Sequence, residues 1–174
     1  MKLSKKGILD AISKGNIVIS PFNENNLNPN SYNVTLHNTL LVYEDPILDM
    51  KKVNSTRTIV IPDEGYLLLP GELYLGRTVE WTETIGYVPC LSGRSSTGRL
   101  GLDIHICAGF GDNGFAGYWT LEIRVVKPLI IYPYTQVGQL YFDTISEYSQ
   151  KDFYNGKYNN NKGIQPSKLY EDFI

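Results

Sequence analysis

Apolar residues recur at helical spacing only near the start of the chain. Ile8, Leu9 and Ile12 share one face, Ser4 stands at an N-cap position, and Gly15 follows the end. This predicts one short helix within residues 1–15. Beyond it the pattern changes to short runs rich in Val, Ile, Thr and Tyr, the signature of strands. Strands are predicted at 31–36, 58–61, 66–69, 73–78, 85–91, 103–107, 119–126, 129–132 and 139–143. Turn residues separate them, among them Pro70-Gly71, Asp112-Asn113-Gly114 and Pro133-Tyr134. Many short strands at this spacing predict an all-β-dominated chain closed as a distorted jelly roll or β-barrel.

The chain of 174 residues, without a fixed repeat or inner linker, reads as one domain, 1–174. Its tail, 147–174, changes character. It carries the polar, Asn-rich run Asn155 to Lys162, which composition alone reads as an unstructured terminus. The other reading is a flexible arm that orders over a ligand, with Lys157, Lys162 and Lys168 facing anionic groups.

Composition narrows the class further. Hydrophobic residues make up 42% and charged residues 20%, with a net charge of −2. These values predict a globular protein and argue against a broad nucleic-acid surface. No apolar run approaches a membrane span, and Met1 to Ser4 lead directly into a polar segment without a secretory pattern, so a cytoplasmic location is expected. Cys90 and Cys107 are too few for a disulfide framework or a Cys-rich metal site.

One motif stands out, Gly93-Arg94-Ser95-Ser96-Thr97-Gly98-Arg99-Leu100. It has the glycine spacing of a P-loop, but Arg99 and Leu100 replace the lysine and the hydroxyl. A P-loop also needs an amphipathic helix downstream, and strand pattern follows instead. Two arginines, two serines and a threonine between glycines still suit phosphate, although an ordinary polar turn has the same composition.

His105, Asp112 and Glu122 lie close together in sequence. In 119–126, Trp119, Leu121, Ile123 and Val125 fall on one face and Thr120, Glu122 and Arg124 on the other. Glu122 is then either a solvated surface charge or a general acid or base lining a pocket. A zinc site is poorly supported, since Pro89-Cys90 lacks a second cysteine and His37 and His105 lack further ligands. Ser95, His105 and Asp112 form a triad only on paper, because no nucleophile elbow surrounds the serine.

Taken together, these segments resemble the dCTP deaminase family of the trimeric dUTPase-like superfamily over nearly the whole chain. LSKKGILDAISKGNIVISPF is similar to the family's N-terminal helix and first strand. PNSYNVTL, LLLPGELYLGRTVE and SGRSSTGRLGL resemble further family motifs, the last being the most specific. HICAGFGDNGFAGYWTLEI resembles the active-site stretch, VGQLYF the strand after it, and GKYNNNKGIQPSKLYEDF the C-terminal arm.

The resemblance implies a homotrimer with sites shared between subunits, acting on dCTP or dUTP, with dTTP as a candidate inhibitor. It implies Mg²⁺ carried by the triphosphate, no metal bound by the protein itself and no zinc. By position, Arg94, Ser95, Ser96, Thr97, Gly98 and Arg99 would hold the phosphates and support the reacting base. Asp112 would contact the deoxyribose. Thr120, Leu121 and Glu122 would line the base pocket, with Ala108 beside the base. His105, Phe110, Gln139, Lys157, Tyr158 and Asn161 complete the implied nucleotide contacts. Glu122 would be the catalytic carboxylate, assisted by Ser95, Arg99 and Asp112. Gly109-Phe110 after Ala108 points to the type that continues to dUMP and pyrophosphate, with Gly109 leaving room for a second water near the α-phosphate. The alternatives are a deaminase stopping at dUTP, a dUTPase without deamination, and a non-catalytic nucleotide-binding β-domain. Three positions depart from the family pattern. Asn33 stands for aspartate, Asn161 for glutamine, and Gly111 for isoleucine, a change expected to loosen its turn.

Overall fold

A computed structural model describes residues 1–146 and 152–174; the first five residues of the tail, 147–151, lie outside the described residues. Helix α1, Lys5–Ser13, starts where expected, with Ser4 Oγ accepting from the Gly7 N–H at 3.2 Å. It buries Ile8 and Ala11, while Leu9 and Ile12 pack partly against the core. Gly15, at φ +73°, reverses the chain into β1, Ile17–Ser20.

The strands are β2, Tyr32–Thr35; β3, Thr39–Tyr43; β4, Thr56–Val60; β5, Tyr66–Leu68; β6, Tyr74–Thr84; β7, Tyr87–Gly93; β8, Leu102–Asp103; β9, Ala116–Val125; β10, Leu129–Ile131; and β11, Gln136–Thr144. A short helix α2, Ser95–Arg99, follows β7. One sheet runs β4-β3-β6-β9-β8, with β1 also pairing β6; β2-β11-β7 form a second sheet and β10-β5 a third. All described pairings between these strands are antiparallel. Every sheet contributes side chains to one core, including Tyr32, Leu68, Leu121, Leu140 and Phe142. Each such buried side chain contributes about 1.5–3 kcal/mol. Among the described residues no helix is long and apolar enough to cross a membrane.

Two predicted strands differ from what is found. β6 continues six residues past the predicted end at Thr78. Its inward positions there are Thr78, Glu80, Thr82 and Thr84, all buried, so the apolar alternation vanishes although the strand does not. Thr78 Oγ1 accepts from the Trp119 N–H and donates to the Glu80 carbonyl, bridging a register shift between β6 and β9. The predicted strand 103–107 shrinks to the end of β8, because the chain then leaves the sheet to form a loop over β9. β1 and β3 were not among the strands read from periodicity.

Candidate active site

β9 supplies the wall of a cavity of about 1080 Å³. Its alternation holds as expected. Trp119, Leu121, Ile123 and Val125 are buried, so Tyr118, Thr120, Glu122 and Arg124 project on the opposite side and line the cavity. The segment after β8 arches over this face and contributes His105, Cys107, Ala108, Phe110 and Asp112. The Cys107 N–H donates to Glu122 Oε2 at 3.4 Å, tying roof to wall. Both ring nitrogens of His105 are buried there without a hydrogen-bond partner.

Two glycines let this roof lie flat. A Cβ on Gly109 would stand 2.5 Å from the Leu91 carbonyl oxygen, and the Leu91 N–H donates to the Gly109 carbonyl at 2.6 Å. The Cβ side of Gly109 is therefore occupied by β7 backbone, and a larger residue would not fit there without a shift. Gly111 is buried and its N–H donates to the Pro89 carbonyl at 2.8 Å. A Cβ there would come 2.7 Å from the Trp119 ring, so this turn is packed, not loosened.

The tail closes the cavity from the third side. Along the N-terminal half of β9, the Ala116 N–H donates to Asn159 Oδ1 and the Asn160 N–H donates to the Ala116 carbonyl. Gly117 and Asn161 form a parallel bridge. Farther on, the Gln165 N–H donates to Thr120 Oγ1 at 3.0 Å and the Ser167 N–H to the Tyr43 hydroxyl at 2.9 Å. The Asn-rich run that composition reads as unstructured is thus a docked segment, its amides satisfying strand backbone. Lys157 turns away from the cavity toward Asp172 Oδ1 at 2.6 Å and the Lys168 carbonyl. The Asp172 carboxylate raises the Lys157 pKa above its ordinary value.

The cavity collects Glu122, Asp112, His105, Ala108, Phe110, Thr120, Tyr158 and Asn161 from the residues singled out in the sequence. It does not collect Arg94, Ser95, Ser96, Thr97, Gly98, Arg99, Leu121, Gln139 or Lys157. The Leu121 side chain is fully buried in the core. The Gly93–Arg99 segment is one turn of helix where a loop was expected, with Ser95, Ser96 and Arg99 exposed and Thr97 buried. Gln139 bonds to Ser31 and to the Gly93 carbonyl.

Sequence reasoning missed Tyr43, Tyr154, Gln165 and Asn113. Asn113 is buried. Its Oδ1 accepts from the Gly86 N–H, its Nδ2 donates to the Asp152 carbonyl, and its carbonyl accepts from the Tyr154 N–H. Its place in an Asp-Asn-Gly turn was the available signal.

The cavity's charged lining is lopsided. Among the described residues, Glu72, Asp103, Asp112 and Glu122 face it, with Arg124 alone on the positive side. Among the described residues no group of three or more His, Cys, Asp and Glu side chains is placed to hold a metal ion.

Comparison with known proteins agrees with this architecture. Over 174 residues the chain is 60% identical to the dCTP deaminase, dUMP-forming, of Clostridium beijerinckii, covering 99% of both chains. It is 58% identical to the protein of the same description from Clostridium acetobutylicum, covering 100% of this chain and 99% of that one. The solved 2'-deoxycytidine 5'-triphosphate deaminase from Agrobacterium tumefaciens superposes with a TM-score of 0.66 at 15% identity, over 83% of this chain and 48% of that one. The fold is therefore shared with that solved deaminase, and this chain spans about half of its length. Residues 2–145 match the dCTP deaminase-like family model, so the β-sheet framework and cavity wall described above are those of a member of the dCTP deaminase-like family.

Proposed function

We propose that this protein deaminates dCTP at C4 of the cytosine and carries the product on to dUMP and pyrophosphate. The observation that carries the reading is Glu122, a carboxylate on the cavity face of β9, in a chain nearly full-length similar to dUMP-forming dCTP deaminases. Glu122 takes a proton from water as the oxygen adds to C4. It hands that proton to N3, then takes the proton of the new C4 hydroxyl and passes it to the amino group, which leaves as ammonia as the carbonyl forms, so one carboxylate serves as base and acid in turn. In the second stage, water attacks the α-phosphorus and pyrophosphate leaves, with Asp112 placed to accept that water's proton.

A cavity with four carboxylates and one arginine is a poor host for a triphosphate. Arg94 and Arg99 lie outside it, with Ser95 and Ser96 exposed beside them. This supports a homotrimer in which the Gly93–Arg99 turn of one subunit meets the cavity of the next and supplies the missing positive charge. Guanidinium forks suit phosphate oxygens. Mg²⁺ arrives on the triphosphate.

Incubation of the purified protein with dCTP and Mg²⁺, followed by anion-exchange chromatography, tests this. Equal amounts of dUMP and pyrophosphate are expected, with little free dUTP at any time. Stoichiometric dUTP without pyrophosphate would limit the activity to deamination, and unchanged dCTP would overturn the reading.

A further inference from the structure

The Gly93–Arg99 turn rests on a set of side-chain amides that no catalytic step uses. The set begins at Asn28, whose Nδ2 carries two hydrogens and spends both. One goes to Asn33 Oδ1 at 2.8 Å and the other to Ser31 Oγ at 3.2 Å. From Asn33 the polarity continues in one direction, Asn33 Nδ2 to Gln136 Oε1 at 3.1 Å and Gln136 Nε2 to Asn26 Oδ1 at 2.7 Å. The backbone carbonyl of Gln136 accepts Arg94 Nη1 at 2.9 Å. From Ser31 the second branch runs through Gln139 Oε1 at 3.0 Å, and Gln139 Nε2 reaches the Gly93 carbonyl at 3.3 Å. Both branches end on consecutive residues at the root of the turn.

We infer that Asn33 is a positioning residue for the phosphate-holding turn, acting through Gln136 on Arg94. The inference rests on the reading of that turn given above. Asn33, Ser31 and Asn26 are buried, so their hydrogen bonds are not replaced by water at small cost. The polarity is fixed as well. Asn33 must accept from Asn28 and donate to Gln136, which an amide does and a carboxylate does not. With a carboxylate at 33, an oxygen would face Gln136 Oε1. Turning the Gln136 amide over would relieve that contact only by aiming Oε1 at Asn26 Oδ1. The buried Asn26 amide would then have to turn as well. The asparagine at this position, a departure from the family's aspartate, is therefore matched to the amides around it.

The test is steady-state kinetics on dCTP with saturating Mg²⁺ for wild type, N33D and S31A. N33D exchanges an NH₂ for an oxygen at constant shape and is expected to raise KM about tenfold, with kcat within about threefold of wild type. As the pH is lowered, protonation of the introduced carboxyl restores a donor toward Gln136. The KM ratio of N33D to wild type is then expected to fall toward one. S31A cuts only the branch to Gly93 and is expected to raise KM by a smaller factor. A change in melting temperature without a change in KM in N33D would reduce Asn33 to a fold residue and overturn the inference. A fall in kcat at unchanged KM would do so as well. If N33D does not fold, Q136A, which cuts the same branch between Asn33 and Arg94, decides by the same KM readout. An inactive wild type would instead refute the proposed function, so the two failures are distinguishable.

Discussion

The Cys107 N–H and the Glu122 carboxylate, fifteen residues apart in sequence, meet at 3.4 Å across the cavity. The proposed catalytic group is thus also the attachment of the roof above it. A weak bond of this length keeps one carboxylate oxygen oriented and leaves the other for water.

Replacing Glu122 by glutamine preserves an acceptor for the Cys107 N–H and removes the base. A kcat for dCTP at least about a hundredfold lower is expected, with nucleotide affinity largely retained. Single-turnover kinetics and a binding titration check both halves. Near wild-type turnover would remove Glu122 from the mechanism.

The proposed sharing of sites between subunits makes a prediction that no single variant can. E122Q spoils the cavity and R99A spoils the turn offered to a neighbour. Mixed at equal amounts after reversible dissociation, two inactive proteins are expected to recover about a quarter of wild-type activity, because one site in four draws both intact parts. No recovery, with exchange of subunits verified, would place both residues in sites built from a single chain.

Asn113 holds the Asp112 turn, the Gly86 N–H and the arm together. N113A leaves buried partners unpaired and is expected to cost about 1–3 kcal/mol in denaturant unfolding. Proteolysis within residues 152–174 should also accelerate, since two of the lost or weakened contacts belong to the arm. Unchanged cleavage would mean the arm docks without Asn113.

Glu80, almost fully buried, gives a pH signature away from the site. Burial raises its pKa above the ordinary 4.5, against the opposing Thr35 N–H bond to Oε2 at 2.9 Å. The folded state therefore holds the proton more tightly than the unfolded state. Its contribution is complete below pH 4.5 and is lost as pH rises through the raised folded value. E80Q keeps the acceptor for Thr35 and stays neutral. Its stability relative to wild type is expected to improve as pH rises from 4.5 and to level off above the raised folded value, read from denaturation midpoints. A difference independent of pH would show that Glu80 does not titrate in this range.

The helix and most strands were legible because their cores are apolar and periodic, as in α1 and β9. The continuation of β6 was not, since its inward positions Thr78, Glu80, Thr82 and Thr84 are polar, and Glu80 and Thr82 find their partners across the fold in the Thr35 N–H and the Trp119 indole. The family motifs marked Glu122 and the Gly93–Arg99 turn. The resemblance implied shared sites and a closing arm, but periodicity and composition alone showed neither that the turn lies outside the cavity of its own chain nor that the tail docks, because spacing along a sequence does not encode distance in the fold. Asparagine-rich composition has no apolar face, and its partner is the backbone of a strand far away in sequence.

That docking has a consequence for the protein's behaviour in concentrated solution. β8 covers only the last rungs of β9, at Arg124 and Val125, so without the tail the edge at Ala116 and Gly117 would present free backbone donors and acceptors. An open strand edge is a template on which another chain can polymerise. The tail that closes the cavity also occupies that template, so clipping it would open the cavity and bare the strand edge in one stroke.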